Sequence, residues 1–183
     1  MPTVPVLGAK GEAGATLELS AEVFGVEIRV PLLHQAVTRE LADRRAGTHD
    51  TKGRSEVSGG GKPFGPTPRS YVQHLPREMR RGALRAAVAA KIAGGELTVV
   101  EDVEVTDGKT KTLVGRLTGL GLPDGSTLLV VRELTDAIAR AARNVRWLTV
   151  EPPSHVSVYQ LLRARRVVFE RAALLALQEM LKP

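Results

Sequence analysis

The sequence predicts an α/β fold in which an open, mostly parallel sheet carries helices on both faces, giving three layers. From Glu96 onward, short apolar runs alternate with segments of helical spacing, as in strands joined by helical crossovers. The runs are apolar at every position, which is typical of strands buried on both faces. A length of 183 residues suits one domain with a real core, so we expect a single domain over residues 1–183.

The first part of the chain predicts a small hairpin followed by a helix. Strands are expected at Val4 to Leu7 and Thr16 to Leu19, around a glycine-rich turn. The helix is expected to start at Pro31, which tolerates the first turn, and to stop at Gly47. Its inward face is predicted to hold three residues spaced by four, Leu33, Val37 and Leu41.

A second helix is predicted from Pro76 to the Gly94-Gly95 pair. Five residues are expected to face inward: Met79, Leu84, Ala87, Val88 and Ile92. The first half carries four arginines, Arg77, Arg80, Arg81 and Arg85. Cations at the N-terminal end of a helix oppose its macrodipole, so their position indicates an external anion. Screening by solvent and by Glu78 is the alternative explanation.

The second half predicts strands and helices in regular alternation. Apolar strands are expected at 96–103, 126–133, 147–153 and 167–169. Helices are expected at 108–122, at 135–145, just after Ser157 and at the C-terminal end of the chain. Thr135 or Asp136 is expected to cap the helix at 135–145.

The net positive charge is confined to one part of the chain. Residues 39–85 contain eleven Lys and Arg against five Asp and Glu, while the remaining residues contain fifteen of each sign. Within them, residues 46–71 form a basic loop rich in glycine and proline with no hydrophobic period, so its cations must face water or a polyanion. Arginine dominates on both flanks, and its planar fork suits phosphate contacts. The composition therefore favours binding of a nucleic acid backbone, with a solvated surface as the alternative.

Other compositional features exclude several classes of protein. The chain has no cysteine, which excludes disulfides, thiolate metal sites and cysteine nucleophiles. Aromatic residues make up only 3%, which argues against single-strand binding by base stacking and favours folded RNA. No apolar stretch reaches the roughly 18 residues of a membrane span, and the N-terminus lacks a signal-peptide pattern. We therefore expect a cytoplasmic protein with no membrane partner.

Enzymatic motifs are largely absent. No G-x-G-x-x-G follows a strand, and Gly61-Lys62 lacks the glycine and the Ser or Thr of a phosphate-binding loop. The four histidines show no ligand spacing, so no metal site is expected. Acidic residues at Glu101, Asp102 and Glu104 close a strand at the carboxyl edge of the sheet, where α/β enzymes place catalytic groups. A small enzyme using these acids stays open as an alternative.

The stretch LADRRAGTHDTKGRSEVSGGG, followed by FGPTPRSY, LPREMRRGALRAAVAAK and GGELTVVEDV, resembles the L-four family of large ribosomal subunit proteins. AARNVRW and VSVYQLLRARRVVF resemble later segments of the same family. The likeness covers nearly the whole chain. It implies a non-enzymatic structural protein without a cofactor, which binds large-subunit ribosomal RNA and acts early in subunit assembly. Neighbouring ribosomal proteins are implied partners, and binding to the messenger of its own operon is left open.

Charge and resemblance together give a predicted RNA-binding site in the base of the loop and the helix that follows. The residues are Arg39, Arg44, Arg45, Thr48, Thr51, Lys52, Arg54, Lys62, Arg69, Tyr71, Arg77, Arg80, Arg81 and Arg85. The resemblance also assigns to the loop base Gly59 to Gly61, Phe64, Gly65, Pro66 and Pro68.

The chain departs from the family between GGG and FGP. Family members carry a long Arg-, Lys- and Gly-rich stretch there, which runs to the wall of the peptide exit tunnel, whereas this chain has only Lys62-Pro63. An extended residue spans about 3.3 to 3.6 Å, so this short link cannot reach tens of ångströms. Removal by engineering, a stretch skipped in the sequence and natural loss all stay open as explanations.

Overall fold

A computed structural model describes residues 2–8, 12–51, 53, 55, 65–103, 105, 107–121 and 125–182. Within these residues the chain forms six strands and seven helices. In chain order they are β1 (Thr3–Leu7), β2 (Ala13–Glu18), α1 (Ala21–Phe24), α2 (Val30–Asp43), α3 (Arg77–Ala93), β3 (Leu97–Val100), α4 (Thr110–Gly119), β4 (Thr127–Val130), α5 (Asp136–Ala142), β5 (Leu148–Glu151), α6 (Val158–Arg163), β6 (Arg166–Glu170) and α7 (Arg171–Leu181).

The strands form one sheet in the order β2-β1-β3-β6-β4-β5. Strands β1, β3, β6, β4 and β5 pair in parallel, and only β2 runs antiparallel, at the edge next to β1. The predicted hairpin is therefore confirmed as β1 and β2, and the open, mostly parallel sheet is confirmed with it. The connection from β5 to β6 passes through α6, which brings the loop after β5 close to α2 and α3.

Alternating residues of each central strand enter two separate hydrophobic clusters. Val99, Val167 and Phe169 pack with α1, α2, α3, α6 and α7, while Val100 and Val168 pack with α4 and α5. Both sets are buried. Since the central strands β3, β4 and β6 are covered on both faces, their apolar runs show no alternation of polar and apolar positions. The predicted three layers are confirmed.

The structure differs from the sequence prediction at the end of α2. The helix ends at Asp43, and Gly47 lies beyond it in the loop with a φ of 65°. The predicted inward face is also only partly right, because Leu33 is buried but Leu41 is 44% exposed. Ala36 is the second buried residue of this helix. Gly47 therefore serves the loop rather than the helix, as described below.

Helix α3 starts and ends where the sequence predicts, with Pro76 at its N-cap and Gly94 at its C-cap. Its buried face is mostly alanine: Ala83, Ala86, Ala87 and Ala89 are buried together with Val88. Three of the predicted inward residues, Met79, Leu84 and Ile92, are only partly buried. The cap of α5 is Thr135, whose side-chain oxygen accepts a hydrogen bond from the Ile138 amide at 3.4 Å. Among the described residues, no helix combines the length and apolar character needed to cross a bilayer.

Candidate nucleic-acid interface

The two arms of the basic loop lie side by side where they leave α2 and approach α3. We call residues 43–51 and 65–73 the loop base. Two hydrogen bonds join the arms: the Arg69 amide donates to the Gly47 carbonyl at 3.1 Å, and the Gln73 amide donates to the Asp43 side-chain Oδ1 at 3.1 Å. Further out, Gly65 lies so close to Thr51 that a Cβ on it would be 2.1 Å from Thr51 Oγ1. The loop base is therefore closed within the protein itself.

Gly47 is required by this closure. Its φ of 65° falls in the left-handed region that side chains disfavour, and a Cβ there would lie 2.0 Å from the Arg69 carbonyl oxygen. The close approach of the arms depends on the missing side chain.

Tyr71 forms the centre of a cationic cluster in the loop base. The guanidinium carbons of Arg45 and Arg69 lie 4.0 Å and 4.5 Å from its ring centroid. Its hydroxyl shares a 3.0 Å hydrogen bond with His49 Nε2. Both arginines are exposed, and neither forms an ion pair with a carboxylate among the described residues. A guanidinium stacked on a ring keeps its N–H edges available for a phosphate.

Two other predicted arginines are engaged by the protein's own carboxylates. Arg39 pairs with Asp43 at 3.0 Å and donates to the Gln73 carbonyl at 3.1 Å. Arg44 pairs with Glu40 at 2.5 Å. These contacts tie the loop base to α2, so the charges of the two arginines are partly neutralised.

The arginines of α3 divide in the same way. Arg77 and Arg80 are exposed and have no ion pair within the described part of the chain, whereas Arg81 lies 3.7 Å from Glu78. Arg85 turns into the protein, where its Nε donates to the Leu181 carbonyl at 2.7 Å and its Nη2 donates to the same oxygen. Arg85 therefore satisfies the C-terminal end of α7. Its predicted contact with RNA stays a prediction that this geometry does not favour.

An open groove of about 700 Å³ borders these arginines. It lies between α2, α3, the loop after β5 and the end of α7. Arg77, Arg80 and Arg81 lie along it, and its apolar lining includes Leu84 and Met180. The start of α3 thus presents cations beside a depression rather than on a flat surface.

The sequence analysis missed Tyr159 and Arg163 on α6. The guanidinium carbon of Arg44 lies 4.8 Å from the Tyr159 ring centroid, and that of Arg163 lies 5.9 Å from it. Arg163 follows Tyr159 by four residues, the spacing of neighbours on one helix face. That spacing is the signal in the sequence that could have drawn attention to the pair.

Some of the remaining predicted residues lie outside the part of the chain that the structure describes. Lys52, Arg54 and Lys62 lie outside the described residues, as do Gly59 to Gly61 and Phe64. Thr48 is exposed, and Thr51 is half-buried against Gly65.

The two described acids of the strand end, Glu101 and Asp102, have separate surroundings. Glu101 pairs with Arg171 at 2.8 Å, Asp102 is exposed, and Glu104 lies outside the described residues. Over the part of the chain that the structure describes, no three His, Cys, Asp or Glu side chains are placed to hold a metal ion.

Comparison with known proteins gives one consistent result. The pattern of the ribosomal protein L4/L1 family matches residues 17–65 and 58–180. The large ribosomal subunit protein uL4 of Pelotomaculum thermopropionicum is 38% identical over 205 positions, covering 98% of each chain. The proteins of the same description from Afipia carboxidovorans and Rhodopseudomonas palustris are each 36% identical, covering 94% of this chain and 96% of theirs.

The comparison also shows a length difference. The first alignment runs over 205 positions although this chain has 183 residues, so at least 22 positions are gaps in this chain. The two family matches meet and overlap at residues 58–65, in the outer part of the basic loop. With both matches and these relatives covering almost its whole length, the chain belongs to the ribosomal protein L4/L1 family.

Proposed function

We propose that this chain is a structural protein of the large ribosomal subunit that binds large-subunit ribosomal RNA through the loop base and the start of α3. The observation that carries the proposal is a set of four exposed guanidiniums with no carboxylate partner in the described residues: Arg45, Arg69, Arg77 and Arg80. Cations without carboxylate partners in the described residues can neutralise phosphates and release counterions. The partners are ribosomal RNA and neighbouring ribosomal proteins, on cytoplasmic ribosomes.

Membership of a ribosomal protein family agrees with the expectation of a non-enzymatic protein and confirms it. The alternative of an enzyme at the acidic strand end loses its basis, because that family consists of ribosomal proteins. The pairing of Glu101 with Arg171 also gives this acid a structural partner.

A role in early subunit assembly also fits the geometry. The loop base is closed by backbone contacts and by the fit of Gly65 against Thr51, so the RNA does not have to order these residues on binding. A preformed site avoids the entropy cost of ordering chain during association. We therefore assign the chain an early binding step in subunit assembly.

The test is a filter-binding titration of the purified protein against transcribed large-subunit ribosomal RNA at several salt concentrations. The wild-type affinity is expected to fall steeply as salt rises. Replacing Arg45 and Arg69 together by Gln should lower the slope of log affinity against log salt by about 1 per arginine. The matched control replaces Arg140 and Arg143 by Gln, two exposed arginines at the end of α5.

The control variant is expected to bind like the wild type, although it loses the same charge. If both double variants lose affinity equally, the loop base has no special role and net charge alone governs binding. If the wild type shows no salt-dependent binding, the RNA-binding proposal is wrong.

We also propose that the messenger of the protein's own operon binds the same surface. Contacts to phosphates carry no sequence information, so a folded messenger leader and ribosomal RNA can share them. Leader RNA should then displace ribosomal RNA competitively, and the Arg45 and Arg69 double variant should lose both ligands in parallel. Simultaneous binding of the two RNAs would contradict a shared surface.

A further inference from the structure

Both tyrosines of this chain carry a pair of arginines. The guanidinium carbons of Arg45 and Arg69 lie within 4.5 Å of the Tyr71 ring centroid. Those of Arg44 and Arg163 lie within 5.9 Å of the Tyr159 ring centroid. The two clusters are connected through the backbone, because Arg44 stacks on Tyr159 and the next residue, Arg45, stacks on Tyr71. The arginine and tyrosine pattern of the loop base therefore continues onto α6.

The position of Tyr159 is fixed by the way α6 begins. Ser157 and Gln160 form a reciprocal capping box, with hydrogen bonds of 3.2 Å to the Ser157 hydroxyl and 3.0 Å to the Gln160 side-chain oxygen. The Ser157 hydroxyl also donates to Glu40 Oε1 at 2.9 Å. Arg44 donates to the same oxygen, so one carboxylate holds both the start of α6 and the guanidinium beside Tyr159.

The acids near Tyr159 are engaged by residues other than Arg163. Glu40 is engaged by Arg44, and Glu151 accepts a 2.9 Å hydrogen bond from the Gln160 side chain. Arg163 is exposed and has no ion pair with a carboxylate in the described residues. Its place in the last turn of α6 also complements the helix dipole. Arg140 has the same structural role in α5 and has no ring contact within the described part of the chain.

We infer that the RNA-binding surface extends onto α6, where Arg163, resting on Tyr159, contacts a phosphate of the RNA. This inference rests on the proposed function, since it adds residues to the same surface. A guanidinium held against a ring has fewer orientations to lose when it binds, and its fork matches a phosphate. Tyr159 is then a positioning residue, and Arg163 is the residue that touches the ligand.

The first test replaces Arg163 by Gln, with Arg140→Gln as the matched control. Both residues are exposed arginines in the last turn of a short helix, so both variants lose one charge and one dipole contact. Binding to transcribed large-subunit ribosomal RNA is measured over a range of salt. Arg163→Gln should weaken binding about 5- to 10-fold and reduce the salt slope by about 0.7 to 1, whereas Arg140→Gln should leave both unchanged. Equal behaviour of the two variants would overturn the inference.

A second test examines whether the Tyr159 ring positions Arg163. Tyr159→Leu removes the ring but keeps an apolar side chain, and thermal unfolding shows whether the variant is folded. If Arg163 acts from the ring, Tyr159→Leu and Arg163→Gln should be non-additive, and the double variant should bind about as weakly as Arg163→Gln alone. Strictly multiplicative losses would show that Tyr159 does not position Arg163.

The outcomes separate this inference from the proposed function. If the wild type binds RNA and the Arg45 and Arg69 double variant weakens that binding while Arg163→Gln does not, only the extension onto α6 is wrong. If the wild type shows no salt-dependent RNA binding, the proposed function itself is wrong, and the extension onto α6 is wrong with it.

Discussion

Gly47 and Gly95 have almost the same backbone conformation but very different surroundings. Their φ angles are 65° and 64°. A Cβ on Gly47 would lie 2.0 Å from the Arg69 carbonyl oxygen, whereas no heavy atom lies within 4 Å of a Cβ on Gly95. Comparing the two residues therefore separates the strain of a left-handed backbone from the need for two chain segments to approach closely.

We predict that Gly95→Ala lowers the free energy of unfolding by about 1 to 2 kcal/mol, the cost of placing an L-residue in the left-handed region. Gly47→Ala should lower the free energy of unfolding further, because the arms of the loop base must also separate. Urea unfolding measures both losses, and RNA affinity should fall only for Gly47→Ala. Equal losses and unchanged RNA binding in both variants would show that the loop base tolerates opening.

A second residue-scale feature is the ion pair of Lys91 with Glu96. Lys91 is buried, and its Nζ donates to Glu96 Oε2 at 2.5 Å and to the Ala164 carbonyl at 2.7 Å. The pKa of Glu96 is lowered below its ordinary value of 4.5, mainly by the hydrogen bond from Lys91 and also by the positive charge of Lys91. The folded state therefore favours the ionised carboxylate.

The sign of the pH effect follows from that direction. A depressed pKa gives stability that is present above the pKa of the unfolded chain and is lost as pH falls through the folded pKa. Glu96→Gln should therefore be less stable than the wild type near neutral pH, and the difference should shrink as the solution is acidified below about pH 4.5. Thermal unfolding from pH 7 to pH 3 measures it. A difference that is constant with pH would contradict the ion pair.

At the scale of elements, local patterns predicted most of the fold. The strands appear where the apolar runs are, and α3 begins at Pro76 and ends at Gly94, because proline and glycine act through their own backbone constraints. The four-residue helix α1 was not predicted, since it is shorter than two helical turns. The end of α2 was placed too late, because a left-handed glycine fits a loop contact as well as a helix stop.

The acidic partners of Arg39, Arg44 and Arg81 lie three or four residues away on the same helix, whereas other arginine contacts join distant parts of the chain. Arg85 reaches Leu181, and no local pattern distinguishes it from Arg77 or Arg80, which have no ion pair among the described residues. The sequence therefore predicts where the cations are concentrated, and helical spacing to acids indicates the partners of Arg39, Arg44 and Arg81, but it does not indicate the inward contact of Arg85. The same limit applies to Tyr159, which meets Arg44 only because α6 packs against α2.

The contact between α3 and α7 gives a prediction at this scale. Arg85→Met keeps much of the apolar stem but removes the donor to the Leu181 carbonyl, so the free energy of unfolding should fall by about 1 to 3 kcal/mol. The salt slope of RNA binding should not change. Arg77→Met, in the same helix, is the matched comparison and should lower the salt slope without a loss of stability. If Arg85→Met lowers the slope and leaves stability unchanged, Arg85 belongs to the RNA interface after all.

At the scale of the whole molecule, the arginines of the basic region divide into two groups: those paired with the protein's own acids and those without such a partner in the described residues. The sequence places the entire net charge of +6 within residues 39–85. In the structure, Arg39, Arg44 and Arg81 have acidic partners, while Arg45 and Arg69 are unpaired with carboxylates in the described residues. Part of this charge therefore holds α2, α3 and the loop base together, and contact of these arginines with RNA stays a prediction.

The closed loop base predicts that the outer loop tolerates insertions. Adding a 22-residue Gly/Ser-rich segment between Gly61 and Lys62 matches the minimum length difference from the first relative. Closing a longer loop costs only about 0.6 kcal/mol per doubling of its length, so the total loss should be about 1 kcal/mol. For a domain of this size, Tm should fall by no more than about 4 °C.

The control places the same segment between Gly47 and Thr48, inside the loop base. This insertion should disrupt the contact of Gly47 with Arg69, lower Tm further and weaken RNA binding. Equal effects of the two insertions would show that the loop base is not a closed unit.

The chain departs from the body and returns to it at neighbouring points, Gly47 beside Arg69 and Thr51 beside Gly65. Attachment and reach are consequently separate properties in our proposal: the residues near the body are the ones proposed to hold RNA, and the length of chain beyond them can change without opening the loop base. On this proposal, a family member with a shorter outer loop keeps the RNA contacts of the loop base and loses only contacts made farther from the body.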